Sequence, residues 1–374
     1  MAMATRDATR TGTGTLRELL AAPGPFASVY FDLEARPERA EEAGARWREL
    51  AARLAREGAD AATVDALTAH VMDALPGTGV LALFASHGEV RHAAGLPGGH
   101  HGDVAEFAAV PHLLPLLEWR QEHPAHVVAV VDRTGADLLV HAEGGTEPRR
   151  RTVQGTDDEI LRTSGLPNMR FQHRAEDSWE RNAKVVAEAV EEALAEVSAS
   201  LLLVAGDVRA RQYLTKHLPA RVRRDVTVGH ISGSRSADGS TAVRTSRTET
   251  EVARAGHART AELLRTLEHE LAPGGHAVEG VRATLDALAV GRVGTLTVTG
   301  DPRDQRTAWF GESPAELAER RDDLPPDGGG EPHEGRLADV AVRAALLTGA
   351  DVRVLEPGEA RTPAQGTGGI CRYP

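Results

Sequence analysis

The chain is 374 residues long, 41% hydrophobic, and carries a formal net charge of −12 at pH 7. That length predicts two or three domains of about 100–150 residues each rather than one core. The acidic balance argues against a protein that coats nucleic acid indiscriminately, and no apolar run approaches the roughly 20 residues of a membrane helix. A single cysteine, Cys371, excludes an intramolecular disulfide and a cysteine-built zinc finger. The opening MAMATRDATRTGTGTLRELL lacks the apolar stretch of a secretory signal, so the expected location is the cytoplasm.

The predicted elements begin with a strand over 26–34, FASVYFDLE, read as alternating apolar and polar positions. A helix over 37–56 places Trp47, Leu50 and Leu54 on one face, and a second over 62–74 carries the stripe Val64, Leu67, Val71 and Leu75. GVLALFAS (79–86) reads as a buried strand, followed by a turn-rich stretch and then by FAAVPHLLPLLEWRQEH. The first domain boundary is expected after Pro124. Two strands, 126–132 and 136–142, then flank a short glycine-containing turn. A helix over 175–197 carries Trp179, Ala183, Val186, Val190 and Leu194, with Trp179 on its core face. LLLVAG (201–206) is apolar on both faces and reads as a central strand. A helix over RARQYLTKHL, a Gly/Ser-rich loop at 232–240 and a helix over 248–271 complete this segment, and Pro273-Gly274-Gly275 marks the second boundary. The last segment alternates helix VEGVRATLDALAV, strand GTLTVTG, helix RLADVAVRAALLTG, strand VRVLE and a terminal GGICRY. That alternation fits a small α/β layer fold, with 325–335 as a flexible excursion.

Two stretches carry the chemistry. In Ser164–Trp179, SGLPNMRFQHRAEDSW, a loop offering Gly165, Pro167 and Asn168 precedes Arg170, Phe171, Gln172, His173 and Arg174. Arginine planes and a phenylalanine ring suit stacking on unpaired RNA bases, whereas an ordinary surface connection would use the same residues for solubility. The second stretch holds Arg209, Arg211, Lys216, Arg221, Arg223, Arg224 and Arg235 against only Asp207 and Asp225, a basic stripe on an acidic protein. The near-absence of lysine, with only Lys184 and Lys216, reflects a composition bias more readily than selection for RNA contact.

The order of these parts resembles the archaeo-eukaryotic peptide-release-factor superfamily. The resemblance covers the chain after about residue 25: strands before a central loop-plus-helix, the strand SLLLVAGD after it, and a small α/β segment ending in GTGGICRY. It is greatest to the bacterial, actinobacterial family 2, whose members include the hibernation factor Balon. The fold class this implies is α/β with an α+β N-terminal domain. Three domains are expected: 1–124 facing the decoding centre, a central mixed-sheet domain over 125–272 with the 164–174 loop, and a small α/β/α domain over 273–374 resembling the GTPase-recruiting domain. The partners implied are the ribosome, through RNA near its decoding and peptidyl-transferase centres, and a translational GTPase, elongation factor Tu; neither membrane nor DNA is implied. The RNA-binding residues expected on this basis are Gly165, Asn168, Arg170, Phe171, Gln172, His173, Arg174, Arg209, Arg211, Arg221, Arg223 and Arg224.

The superfamily hydrolyses peptidyl-tRNA with a Gly-Gly-Gln tip, relaxed to Gly-x-x-Gln in some relatives. Here the matching stretch is Gly165-Leu166-Pro167-Asn168. Asn168 keeps the amide but is one methylene shorter, and Pro167 removes a backbone donor. Gln172 falls seven residues after the glycine. Because catalysis depends steeply on placement, the expected role is a non-catalytic factor in the A site of idle ribosomes. A peptidyl-tRNA hydrolase or rescue esterase using Asn168 or Gln172, and an RNA-binding stress protein outside the ribosome, remain the alternatives. The superfamily's Asn-Ile-Lys-Ser stop-codon motif is replaced by Arg-Glu-Gly-Ala-Asp at 56–60, so stop-codon reading is not expected. The loop 95–103, with His100 and His101, is an alternative RNA contact or a solvated turn.

Other signals are weaker. His100, His101, Asp103 and Glu106 lack the spacing that fixes a metal's geometry, so neither metal nor cofactor is expected. Asp157, Asp158 and Glu159 fit a helix N-terminal charge preference better than nuclease carboxylates. TGTGT (11–15) and GTGGI (366–370) lack the setting of a nucleotide loop, and Cys371 has no activating partner motif.

Overall fold

The computed structural model describes residues 13–33, 40–75, 77–96, 102–145, 147–155, 169–235, 240–325, 330–359 and 361–373. By its contacts the chain divides into two compact units, residues 1–121 with 259–374, and residues 122–258. The three segments expected from sequence therefore map onto two units, because the first and last share one hydrophobic core. Among the described residues, no helix is long and apolar enough to cross a membrane.

The first unit is organised on β1 (Phe26–Asp32), which lies between β2 (Val80–Ser86) and β4 (Val104–Ala108) in an antiparallel sheet of order β3-β2-β1-β4, with β3 at Glu89–Leu96. Successive side chains of a strand point to opposite faces. Ala27, Val29 and Phe31 pack under α2 (Ala40–Arg56) and α3 (Ala61–Ala74), against Trp47, Leu54, Leu67 and Val71. The Phe31 and Trp47 rings meet edge-on at 5.8 Å, and the buried indole donates to Thr68 Oγ1 at 3.0 Å. Phe26 and Tyr30 face the other way, against Leu16 and Leu19 of α1 (Thr13–Ala21) and Leu116 of α4 (Leu114–Glu122). The half-polar pattern expected of β1 is thus replaced by burial on both faces. Ser28 is only 1% exposed, and its Oγ accepts from His112 N at 3.0 Å. Strand β3 occupies the stretch expected to be turn-rich, a hairpin closed by His87 and Gly88 at positive φ.

The C-terminal part of this unit adds a mixed sheet of order β10-β16-β11-β15: β10 (Ala277–Glu279), β11 (Val293–Thr299), β15 (Asp351–Leu355) and β16 (Thr367–Cys371). Strands β11 and β15 are parallel, and the chain between them contains α10 (Leu337–Leu347). Helix α9 (Val281–Ala289) and α10 bury Leu285, Leu288, Val340 and Ala344 with Leu296 and Val298. The other face holds Leu355 against Leu264 and Leu267 of α8 (Ser240–Glu270). A second sheet of order β13-β12-β14, with β12 at Thr307–Phe310, β13 at Leu317–Ala318 and β14 at His333–Arg336, was not expected. The excursion read over 325–335 therefore ends in a strand, because His333–Arg336 pairs antiparallel with β12.

Polar contacts pin the two chain ends within this core. Tyr30 donates its hydroxyl to His112 O at 2.7 Å and accepts from Leu116 N at 3.3 Å. His112 Nδ1 lies 3.0 Å from Asp339 Oδ2, and the Asp339 side chain is 3% exposed. Arg336 pairs with Glu106 at 3.2 Å. The Gln121 amide donates to Val354 O and accepts from Val354 N, at 2.6 and 3.0 Å, substituting for a neighbouring strand along the free edge of β15. Burial pulls the His112 pKa down, but the facing Asp339 carboxylate outweighs it, and the net shift is upward.

A histidine raised in the folded state stabilises fully below its unfolded pKa, and that contribution is lost as pH rises through the folded value. Asp339→Asn should therefore cost about 3 kcal/mol at mildly acidic pH, with the loss shrinking as pH rises and His112 becomes neutral. Urea unfolding across this range checks it; a loss independent of pH would contradict the pair's role.

Candidate functional site

The second unit is a five-stranded sheet of order β7-β6-β5-β8-β9. Strands β5 (His126–Val131), β6 (Gly135–His141) and β7 (Arg149–Gln154) form an antiparallel meander, while β8 (Leu201–Gly206) runs parallel to β5 and β9 (Thr227–His230) parallel to β8. Strand β7, which begins with three consecutive arginines, was not among the expected elements. It sits on an edge, where Arg149 pairs with Glu196 and Arg151 with Glu192, both from α5 (Met169–Glu196). Helices α5, α6 (Val208–His217) and α7 (Ala220–Asp225) cover one face, burying Val186, Val190, Leu194 and Leu214 against Val127, Ala129 and Val204. Val252 of α8 covers the other face at Val128, Val130 and Leu203. Helix α8 starts at Ser240, eight residues before the expected onset.

Gly165 and Asn168 lie outside the described residues, as do His100, His101, Asp157, Asp158 and Glu159. Arg170, Phe171, Gln172, His173 and Arg174 fall in the first turns of α5, which begins six residues earlier than expected. Met, Arg and Gln are good helix formers, and after Pro167 no Gly or Pro interrupts the run, so the backbone favours helix from Met169 onward. The half of the expected loop from Met169 to Arg174 is therefore helix.

The chain turns sharply where β8 gives way to α6. Gly206 has φ of +114°, and a Cβ there would lie 1.8 Å from Val131 O, so only glycine fits beside β5. Asp207 then caps α6, accepting from Arg209 N at 2.9 Å and Ala210 N at 3.1 Å. A narrow crevice opens here, lined by Val131, Asp132, Arg133, Trp179, Asn182 and Tyr213 among others. It lies outside the carboxyl ends of two parallel strands, where the strand order changes direction, a common ligand position in open α/β sheets. Trp179, expected in the core, is half-buried, and the Arg133 guanidinium lies over its ring at 4.5 Å. Asn182 donates to Arg133 O at 3.1 Å. The signal that sequence reading passed over was Asp132-Arg133-Thr134-Gly135, a polar turn closing a buried strand.

That turn uses its carboxylates structurally. Asp132 Oδ1 accepts from Thr134 N, Thr134 Oγ1 and Gly135 N at 2.8, 2.7 and 3.0 Å. Arg235 then clamps it, bonding Asp132 at 3.0 Å and both oxygens of Asp137 at 3.1 and 3.2 Å. Although burial opposes it, the Thr134 hydroxyl and Arg235 hold the Asp132 pKa below the usual carboxylate value. The Arg235 hydrogen bonds do the same for Asp137. With Asp132 so engaged, the crevice offers no nucleophile–base pair among the described residues.

The basic segment separates by engagement. Lys216 and His217 both reach Glu180, at 3.0 and 2.9 Å. Arg224 is held by its neighbour Asp225, and Arg211 is half-buried with a partnerless Nε. Arg209, Arg221 and Arg223 are exposed, and no ion pair among the described residues engages them. Elsewhere Asp103 accepts from Arg46 and from Asp32 N, and Glu106 meets Arg336. Among the described residues, no group of three or more His, Cys, Asp or Glu side chains converges as a metal site.

Residues 125–273 match the model of the bacterial archaeo-eukaryotic release factor family 2. It is 28% identical over 365 residues to "Uncharacterized protein Rv2629" of Mycobacterium tuberculosis, covering 96% of each chain. It is also similar to the solved structure of Saccharomyces cerevisiae Dom34, a translation termination-like factor, at 9% identity and a TM-score of 0.41 over 80% of this chain and 74% of that one. A ribosome-bound archaeal Pelota matches at 14% identity and a TM-score of 0.40, over 96% and 93%.

If Arg235 clamps the turn, Arg235→Ala should destabilise the protein by about 1 kcal/mol at neutral pH, after discounting for solvent screening of half-exposed carboxylates. Carboxylates with depressed pKa values stabilise above the unfolded value, and that stabilisation is lost as pH falls through the folded one. The gap to wild type should therefore close below the ordinary value of 3.8. Thermal melts over that range test it, and a gap that widens in acid would contradict it.

Proposed function

We propose that this protein is a cytoplasmic, ribosome-associated factor that occupies the A site of idle ribosomes and protects them, a hibernation role of the Balon kind, without reading stop codons. The observation that carries this reading is the family match over 125–273, which spans the unit holding the 164–174 stretch and the basic segment. In the release-factor family this central segment reaches the peptidyl-transferase centre. Where hydrolysis would need Gly-Gly-Gln, the chain has Gly165-Leu166-Pro167-Asn168, with a shorter amide and one backbone donor fewer. The tip therefore binds without cleaving. Arg170, Phe171, His173 and Arg174 are the proposed contacts near the tRNA acceptor end, with Gly165, Asn168 and Gln172 beside them.

Of the basic segment, the exposed Arg209, Arg221 and Arg223 are the guanidinia best placed for phosphate, because no ion pair among the described residues engages them. Arg211 and Arg224 contribute less in this reading, since one is half-buried and the other is held by Asp225. The companion is a translational GTPase, elongation factor Tu, engaging the chain on the ribosome.

The triple variant Arg209→Glu, Arg221→Glu, Arg223→Glu should weaken binding to purified ribosomes at least tenfold. Its plot of log affinity against log salt should also be flatter by about 2, since each phosphate contact contributes a slope of about 0.7–0.9. Unchanged affinity and slope in sedimentation assays would reject these contacts. Wild-type protein should leave peptidyl-tRNA on stalled ribosomes intact; cleavage lost on Asn168→Ala or Gln172→Ala would establish the esterase instead.

A further inference from the structure

A second basic surface lies on the first unit and shares no residue with those assigned above. Arg17 of α1 donates from Nε to Leu346 O at 2.9 Å, and Arg372, just beyond β16, donates from Nη2 to Thr348 O at 3.2 Å. Both arginines thus approach the C-terminal end of α10, where cations are favoured by unpaired carbonyls. Capping alone does not account for two of them. Nitrogens of the two guanidinia lie 3.0 and 3.8 Å from where a Cβ on Gly349 would sit. They are therefore within about 7 Å of each other, a separation at which like charges repel. No ion pair among the described residues engages either one. Glu18 and Glu359, the acids nearest to them in sequence, bridge to neither. Each guanidinium has five N–H donors and uses one on the helix, so several remain for an anion.

Beside this pair the surface is aromatic and apolar. Tyr373 is 49% exposed and Val290 66% exposed, unusual for large hydrophobic side chains in this protein. Tyr373 directly follows Arg372 in the chain, and its hydroxyl donates to Val290 O at 3.4 Å. Arg292 shares the corner, since its carbonyl accepts from Arg372 N at 2.9 Å, and its own buried Nε lacks a partner.

We propose that Arg17, Arg372 and Tyr373 form a contact for unpaired RNA, with the guanidinia on the phosphodiester and the phenol ring stacked on a base. Paired cations beside an exposed ring are the two ingredients of single-strand recognition. An acidic peptide would use the cations but not the ring. The choice of RNA over another polyanion rests on the ribosomal reading above.

The test is fluorescence anisotropy of a labelled, unstructured RNA oligonucleotide with the full chain and no ribosome present. Wild type should bind. The double variant Arg17→Gln, Arg372→Gln, whose amides can still cap α10, should bind at least tenfold more weakly, with a salt slope lower by about 1.4. Tyr373→Ala should lose at least fivefold through stacking alone. Melting curves matching wild type show that the variants are folded. No oligonucleotide binding by wild type, equal binding by the Gln variants, or displacement by oligoglutamate as effective as by unlabelled RNA would overturn the proposal. Because no ribosome is present, such a failure leaves the ribosomal reading untouched, and failed ribosome sedimentation leaves this assay unaffected.

Discussion

The first unit has to be assembled from both ends of the chain, since the polypeptide leaves it after Gln121 and returns at Arg259. Residues from α1, β1 and α4 share one hydrophobic core with residues from α9, β11 and α10. Apolar burial drives that closure but is not directional. Direction comes from the polar contacts threaded through it: His112 on Asp339, Glu106 on Arg336, and the Gln121 amide along β15. Each joins residues more than 200 positions apart, so the native pairing of the chain ends is specified as well as stabilised.

The second unit meets a different constraint. Its central strands β5 and β8 are covered on both faces, so they must be almost wholly apolar, and the polar residues are displaced to the strand ends. That is where Asp132, Arg133, Asn182, Asp207 and Arg235 gather. Most of them are absorbed in closing turns and capping α6, which leaves α6 and α7 to present the exposed Arg209, Arg221 and Arg223.

Much of this was legible in sequence where a single period dominated. LLLVAG became β8 with the predicted bounds, and Leu67 and Val71 became the buried stripe of α3. The reading failed where a strand carried no apolar signature. β7 begins with three consecutive arginines whose exposure follows from an edge position, and β14 follows a Gly/Pro-rich stretch that looks like linker. It failed again at α5 and α8, whose first turns are polar and therefore resembled loops. At the site, the exposed Arg209, Arg221 and Arg223 were visible as a charge run. The engagement of Lys216, Arg224 and Arg235 was not, because their acids are supplied by α5, by the adjacent residue and by the β5–β6 turn. Trp179 fell at a core spacing, yet it ends up under Arg133 at the rim of a crevice. Spacing along a helix gives the face but not whether the sheet below extends far enough to cover it.

The most direct measurement is competition for the A site: binding of labelled aminoacyl-tRNA to purified vacant ribosomes as this protein is titrated to saturation. The account predicts mutual exclusion, with tRNA displaced in proportion to protein bound. Simultaneous saturation of the same ribosomes by both would contradict it.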